Sequence, residues 1–236
     1  MNGVKRYHLL IEGRDDWHVI RSLAKAFGVT IDDTREKYLF KVSAGSTSLL
    51  LSTSEYGDSH DEASGIEALV RSIPTRMKQS DLDGLMVVVD ADWEPEKRWS
   101  ELAGAFKRGG IAHVPEEAVP GGTILGGHRP VVGVWMMPDN RSQGMLEDFV
   151  MALAEPSDAL IPPVDEFLRG LPPTETRFLP CQLPKARVHT WLAIQREPGK
   201  PLGLAITKRY LDPRCATGVN FMRWFASVGE MKLVHA

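Results

Sequence analysis

Acidic residues recur in three short motifs of this sequence, IEGRDD, VVVDAD and MLEDF. Carboxylates that lie within a few ångströms of one another repel and raise one another's pKa, so a fold that gathers several of them usually has a cation there. Hard oxygen ligands select Mg²⁺ or Mn²⁺ over Zn²⁺. The motifs therefore predict one metal site, with the ligands Glu12, Asp90, Asp92, Glu147 and Asp148.

The DAD motif, Asp90-Ala91-Asp92, is the most specific of the three. Within a strand its two Asp side chains face opposite ways, whereas at a strand end that bends into a loop both can reach one ion. That arrangement is typical of sites that use a metal for phosphoryl transfer. We therefore expect the DAD motif to end a strand beside the other acids.

Composition limits the classes of protein to consider. The 236 residues, 43% of them hydrophobic, suffice for one large domain or for one domain with an appended part. A net charge of -3 gives no general attraction for nucleic acid, so such binding needs a local patch or a bound metal. The sequence has no apolar run near the roughly 18 residues of a membrane span and no signal-peptide pattern, which predicts a cytoplasmic protein without membrane contact.

The order of the apolar segments predicts the scaffold. Continuous apolar runs are typical of strands buried on both faces of a parallel sheet, and segments with helical spacing lie between them. We predict an α/β fold with a mostly parallel sheet flanked by helices and ligands at the carboxyl ends of the strands. A short helix at 49–51 and a polar loop at 52–65 are predicted as well. The predicted strands are 7–11, 38–42, 85–89 and 131–136.

The pattern changes after about Ala154, where prolines become frequent and the apolar segments take helical spacing. We therefore predict two parts, an α/β domain over residues 1–154 and a smaller helical C-terminal extension, residues 155–236, packed on it. This extension is predicted to offer a surface for a homo-oligomer or a partner protein. Its predicted helices lie near 164–171, 185–194 and 219–228.

The acidic motifs resemble those of the Toprim domain, the metal-binding α/β module of primases, of type IA and II topoisomerases and of the overcoming-lysogenization-defect (OLD) nucleases. The sequence is most similar to a small Toprim-related family catalogued as a domain of unknown function, which shares GVWMMPDNRSQGMLEDF and the later KARVHTWLA run. The resemblance covers residues 12 to about 224. Strand-end Asp pairs also occur in response-regulator-like and haloacid-dehalogenase-like sheets, but near the first strand, whereas here the pair follows a third.

The resemblance implies roles for individual acids. Glu12 matches the Toprim glutamate that serves as a general acid or base or as a metal ligand. Asp16 matches an extra acid that OLD-type nucleases place one helical turn later. Asp90 and Asp92 match the pair that holds Mg²⁺. Glu147 matches the third acidic position, with the neighbouring Asp148 as a ligand or as a residue that supports one.

Two basic residues complete the predicted site. In OLD-type nucleases a lysine downstream of the third acid contacts the scissile phosphate, and Lys185 is the candidate for that role. Arg141 either contacts phosphate, as a substrate-binding residue, or pairs with the acid cluster. A basic helix face is either solvated or follows a nucleic-acid backbone. It consists of Lys97, Arg98, Lys107 and Arg108.

These features predict a metal-dependent nuclease that hydrolyses phosphodiester bonds of DNA or RNA with Mg²⁺ or Mn²⁺. The resemblance implies an effector in bacterial defence that works with a separate ATPase, since the sequence has no GxxxxGK(S/T) motif of its own. The alternative is a non-catalytic Toprim module that binds metal and nucleic acid or a partner protein. Topoisomerase and primase activities are disfavoured, because the chain has no room for a tyrosine-bearing gate domain and has no zinc-site spacing.

Overall fold

A seven-stranded sheet forms the centre of the molecule. The computed structural model describes residues 4–56 and 65–233, and the strands in these residues form one sheet in the order β2-β3-β4-β1-β5-β7-β6. The strands are β1 (Lys5–Ile11), β2 (Thr30–Asp33), β3 (Leu39–Ala44), β4 (Thr47–Glu55), β5 (Gly84–Asp90), β6 (Thr123–Leu125) and β7 (Val131–Met137).

The central strands β4, β1, β5 and β7 are parallel neighbours. The β2–β3 hairpin extends the sheet in antiparallel fashion at one edge, and β6 does so at the other. The predicted α/β fold with a mostly parallel sheet is therefore confirmed. The four strands predicted from apolar runs correspond to β1, β3, β5 and β7.

Helices cover both faces of the sheet. One hydrophobic cluster joins α2 and α3 to one face, and a larger cluster joins the other helices to the opposite face. The helices are α1 (Arg14–Ala26), α2 (Ile66–Met77), α3 (Pro95–Arg108), α4 (Leu146–Met151), α5 (Ile161–Arg169), α6 (Leu183–Ala193), α7 (Leu202–Thr207) and α8 (Ala216–Val228).

The C-terminal helices share their core with the sheet. Trp135 of β7 packs against Phe221 and Trp224 of α8, with ring centroids 5.1 and 5.7 Å apart. Helix α7 packs on α1 so closely that a Cβ atom on Gly203 would lie 2.5 Å from the carbonyl oxygen of His18. Helices α5, α6 and α8 overlap the three predicted C-terminal helices, whereas α7 was not predicted.

The segment around β4 differs from the prediction. A short helix at 49–51 was expected, but these residues lie in β4, where Leu49, Leu51 and Thr53 are buried and alternate with more exposed residues. Such a period of two is typical of a strand, and pairing with β1 and β3 stabilises it. The first residues of the predicted polar loop at 52–65 belong to β4, which ends at Glu55. Residues 57–64 lie outside the described part of the chain.

Helix α1 begins directly after the turn that follows β1. Gly13 occupies the cap position, and Asp15 and Asp16 lie in the first turn. Asp16 accepts a hydrogen bond from the backbone amide of Gly13. Across residues 4–56 and 65–233, none of the helices has the length and apolar character needed to cross a membrane.

Candidate functional site

The predicted acidic motifs meet at the carboxyl ends of β1 and β5, which are adjacent parallel strands. Glu12 follows β1 directly, Asp90 is the last residue of β5, and the start of α4 lies beside them. A cleft of about 520 Å³ opens at this edge of the sheet, and we call it the carboxylate cleft. Its lining includes Glu12, Asp16, Glu55, Asp90, Glu147 and Lys185.

Backbone amides anchor three of these carboxylates. Glu12 Oε1 accepts a hydrogen bond from the amide of Asp90 at 2.8 Å, and Asp90 Oδ1 accepts one from the amide of Leu146 at 2.8 Å. Asp16 Oδ2 accepts one from the amide of Gly13, also at 2.8 Å. These bonds tie the end of β1 to β5 and β5 to α4. They engage one oxygen of each carboxylate and leave its other oxygen for a further partner.

Burial, together with repulsion from neighbouring acids, raises the pKa of four acids in the cleft. Burial raises the pKa of Asp16 to about 8, against the Gly13 hydrogen bond and with the help of the charge on Glu12. Burial, followed by the charge on Glu12, raises the pKa of Asp90 well above its usual range. Burial also raises the pKa of Glu12 and Glu147. A cluster with these properties binds protons readily unless a cation neutralises it.

Lys185 brings a positive charge to the cleft from α6. Its Nζ lies 4.0 Å from Glu147 Oε1, and the side chain is 54% exposed. The lysine lowers the pKa of Glu147, although less than burial raises it. The structure thus brings Lys185 together with the acids, as the sequence predicted, although α6 belongs to the C-terminal helical part.

Asp92 lies close to the cluster but has a different partner. Its carboxylate accepts a hydrogen bond from Arg98 Nη2 at 2.7 Å, and Arg98 Nε also donates to the carbonyl of Asp90 at 3.1 Å. Asp92 has a left-handed backbone with φ +53°, held by two hydrogen bonds to the backbone of Gly144. Both Asp side chains of the DAD motif were expected to reach one ion. The structure pairs Asp92 with Arg98, and after burial the charge of Asp92 is one of the influences that raise the pKa of Glu12. The predicted metal role of Asp92 stays a prediction.

Among the residues that the structure describes, Asp148 and Arg141 are not part of the lining of the carboxylate cleft. Asp148 Oδ2 accepts a hydrogen bond from the amide of Met145 at 2.9 Å and so supports the start of α4. Arg141 is exposed in the preceding loop, where its amide donates to Asp139 at 3.0 Å. The predicted metal role of Asp148 and the substrate role of Arg141 stay predictions.

Three charged residues of the cleft, Arg14, Asp15 and Glu55, were absent from the predicted site. Glu55 ends β4 next to β1, and Arg14 forms an ion pair with it at 3.5 Å. Glu55 was missed because β4 was predicted as a helix and a loop. The alternation of Leu49, Leu51 and Thr53, continued by two residues, would have placed Glu55 at the carboxyl edge of the sheet.

The donors of the cleft suit a hard cation. Mg²⁺ commonly uses one or two carboxylates and keeps several waters, so it does not require a cage made of protein ligands alone. In the part of the chain that the structure describes, no three Asp, Glu, His or Cys residues form a group close enough to hold an ion by themselves. The carboxylates surround the cleft more loosely, which fits Mg²⁺ or Mn²⁺ that keeps part of its water shell.

The fold and the cleft together define a class, an α/β protein with acids gathered at the carboxyl edge of a parallel sheet. Within that class, the chain belongs to the family described as Protein of unknown function (DUF3226), whose family model matches residues 6–230. Neither a curated protein nor a solved structure gives a match. The matched range contains every residue that we name in the carboxylate cleft.

Proposed function

We propose that this protein is a metal-dependent nuclease that hydrolyses phosphodiester bonds of DNA or RNA with Mg²⁺ or Mn²⁺ as its cofactor. The observation that carries the proposal is the convergence of carboxylates from separate elements on one cleft. Burying several acids together is costly without a cation, and phosphoryl transfer is the chemistry that most often uses such a site. The acids are Glu12, Asp16, Asp90 and Glu147.

The free oxygens of Glu12 and Asp90 are the first candidates to hold the cation, since backbone amides fix their other oxygens. Asp16 and Glu147 add charge to the same cleft. The cation, when bound, supplies positive charge for the phosphoryl oxygens and makes a neighbouring water a stronger nucleophile. Asp92 supports the site from outside, because its bond to Arg98 orders the loop after β5.

We assign proton transfer to Glu12 and charge neutralisation to Lys185. Burial raises the pKa of Glu12, and a general base is most effective when its pKa approaches the working pH. Glu12 would accept a proton from the attacking water. The Lys185 ammonium, exposed beside Glu147, would offset negative charge on the phosphoryl oxygens as the P–O bond breaks.

Cleavage assays with matched variants test this proposal. Purified protein is incubated with plasmid DNA and with total tRNA in Mg²⁺, Mn²⁺ or EDTA. Glu12→Gln keeps the acceptor for the Asp90 amide but removes the charge, and we expect it to lower the cleavage rate by about 10²-fold or more. Glu116→Gln, which changes an exposed acid away from the cleft, should cleave like the wild type. Metal-dependent cleavage at an unchanged rate by Glu12→Gln would refute the assignment.

A calorimetric Mn²⁺ titration separates the nuclease from the alternative. Mn²⁺ binding that is lost in Asp90→Asn, without cleavage of either substrate by the wild type, would favour a non-catalytic module that binds metal and nucleic acid or a partner protein. Cleavage that requires a second protein would favour the predicted separate ATPase. Action in bacterial defence stays a prediction.

A further inference from the structure

Two further clefts adjoin the carboxylate cleft on the side of β4. One, of about 570 Å³, lies between α1 and the β2–β3 hairpin, and the other, of about 440 Å³, lies between β4 and α2. Arg14 and Glu55 line all three clefts, so the clefts meet at this ion pair. We call the two further clefts the hairpin groove. It is lined by Arg21, Arg35, Lys37, Tyr38, Thr53 and Arg76, among others.

Basic side chains outnumber acidic ones along the hairpin groove. Arg35 and Lys37 are exposed at the tip of the β2–β3 hairpin, and Arg76 lies on α2 at the other side. Arg21 is neutralised in part by Asp33, at 3.1 Å. Since the whole chain has a net charge of -3, this groove is a local basic patch of the kind that an acidic protein needs to bind a polyanion.

Tyr38 gives the groove an exposed aromatic ring. It is 43% exposed at the hairpin tip, and its backbone is left-handed with φ +61°, a conformation that is rare for a bulky residue. The Lys37 ammonium lies 4.7 Å from the centroid of the ring. An exposed ring beside a cation is the arrangement on which proteins stack unpaired bases of any sequence.

Thr53 contributes a buried hydroxyl without a partner. The residue is 5% exposed and lines both parts of the hairpin groove, yet its Oγ1 has no hydrogen-bond partner within residues 4–56 and 65–233. An unsatisfied buried hydroxyl costs free energy that a ligand with a polar atom recovers. This is an observation separate from the charges and from the ring, and it also indicates a ligand.

The basic face of α3 is a poorer candidate for the same role. Arg98 is engaged by Asp92 and Glu101 at 2.7 and 2.9 Å, and Lys97 pairs with Glu94 at 3.2 Å. Lys107 and Arg108 lie at the opposite end of α3, about 20 Å along the helix from its start. The cations of α3 nearest to the acids therefore already have carboxylate partners.

We propose that the hairpin groove binds an unpaired nucleic-acid strand, with a base stacked on Tyr38 and phosphates beside Arg35 and Lys37, and that it guides the strand past Arg14 to the carboxylate cleft. The last step rests on the proposed nuclease function, but binding by the groove does not. An unpaired strand fits better than a duplex, because the bases of a duplex already stack on one another and offer no free face to a ring.

Fluorescence anisotropy in EDTA measures binding without cleavage. The probes are labelled strands of about twelve nucleotides, as DNA and as RNA of one sequence, and the corresponding duplex. Tyr38→Asn removes the ring but keeps a residue that tolerates left-handed backbone, and we expect it to weaken strand binding about tenfold. Tyr38→Phe and the exposed-ring control Phe167→Ala should bind like the wild type. Comparison of the affinities for the DNA strand and the RNA strand shows which of the two the groove prefers.

Charge variants give a second readout that does not depend on Tyr38. The double variant Arg35→Gln, Lys37→Gln removes two phosphate contacts, so it should weaken binding and lower the salt slope of the affinity by about 1.4. Lys107→Gln with Arg108→Gln, at the far end of α3, should change neither. Wild-type affinity in Tyr38→Asn, equal affinity for strand and duplex, or no strand binding by the wild type would each overturn the proposal.

The proposal that the groove binds a strand and the proposal that the protein is a nuclease can be refuted independently. Strand binding in EDTA tests the groove, and hydrolysis of bis(p-nitrophenyl) phosphate, which is too small to occupy the groove, tests the nuclease. Strand binding that depends on Tyr38, without hydrolysis of any phosphodiester, would support the groove and refute the nuclease. Hydrolysis that depends on Glu12, with strand affinity unchanged in Tyr38→Asn, would support the nuclease and refute strand binding by the groove.

Discussion

The carboxylate cleft and the hairpin groove share one edge of the sheet and meet at Arg14 and Glu55, but they are built differently. The cleft consists of buried acids whose oxygens are fixed by backbone amides, such as Glu12 by Asp90. The groove is mainly basic, and its most exposed side chains, including Tyr38, lie at the tip of the β2–β3 hairpin. An acidic cluster repels a phosphodiester until a cation is bound, so a basic surface beside it can hold the substrate where the cluster cannot.

The largest expected effect distinguishes chemistry from binding. We assign the reaction to Glu12 and strand binding to Tyr38, so Glu12→Gln should lower kcat by about 10² to 10⁴-fold at a similar KM. Tyr38→Asn should raise KM with little change in kcat. Steady-state cleavage of a labelled strand measures both constants. A fall in kcat for Tyr38→Asn equal to that for Glu12→Gln would show that the two regions act as one.

The next effect concerns His8 of β1, whose ring contacts Ser54, a residue of the hairpin groove. Its ring nitrogens are 2.5 and 2.9 Å from the hydroxyls of Ser52 and Ser54, and burial, with the charge of Arg76, lowers its pKa from 6.5 to about 4. The unfolded chain therefore binds a proton between these pH values that the folded chain does not. The His8 contribution to stability should fall by on the order of 3 kcal/mol as the pH drops from 6.5 to 4.

Urea unfolding of the wild type and of His8→Gln across this pH range checks that expectation. The variant should lack the His8 part of the pH dependence. An equal slope of unfolding free energy against pH in both proteins would contradict the assignment to His8.

A smaller effect is expected from charge removal in the carboxylate cleft. Asp16 is buried with its pKa raised to about 8, so near neutral pH the fold bears the cost of an acid that prefers to be protonated. Asp16→Asn keeps an acceptor for the Gly13 amide and removes that cost. In EDTA at neutral pH we expect the variant to raise Tm by about 5 °C.

Thermal unfolding with and without Mg²⁺ sharpens this comparison. Mg²⁺ should raise the Tm of the wild type and change that of Asp16→Asn less, because the variant has one charge fewer for the cation to neutralise. Glu36→Gln, an exposed acid in the hairpin groove, should leave Tm unchanged in both conditions. A lower Tm for Asp16→Asn in EDTA would contradict the account.

The contrast between the two regions also explains what the sequence could predict. Parallel strands with continuous apolar runs could be predicted, and with them the meeting of Glu12 and Asp90, because the carboxyl ends of adjacent parallel strands share one edge. The pairing of Asp92 with Arg98 could not be predicted, because it depends on the left-handed turn after β5. Glu55 was missed because serines and threonines mask the strand pattern of β4.

No sequence motif indicated the hairpin groove. Its residues come from α1, the β2–β3 hairpin, β4 and α2, and the place of the hairpin beside β4 follows from antiparallel pairing in the sheet. Strand β2 was not predicted, so the hairpin and the exposed Tyr38 at its tip were not predicted either. Buried sites made of strand ends leave a pattern in the sequence, whereas surface sites made of loop side chains depend on tertiary contacts.

The central claim is that the carboxylate cleft holds a catalytic cation, and anomalous diffraction from a crystal soaked in Mn²⁺ tests it most directly. The account predicts an anomalous peak within coordination distance of carboxylate oxygens of Glu12 and Asp90, and no such peak in crystals of Asp90→Asn. A Mn²⁺ peak elsewhere in the molecule, with an empty cleft at saturating Mn²⁺, would contradict it.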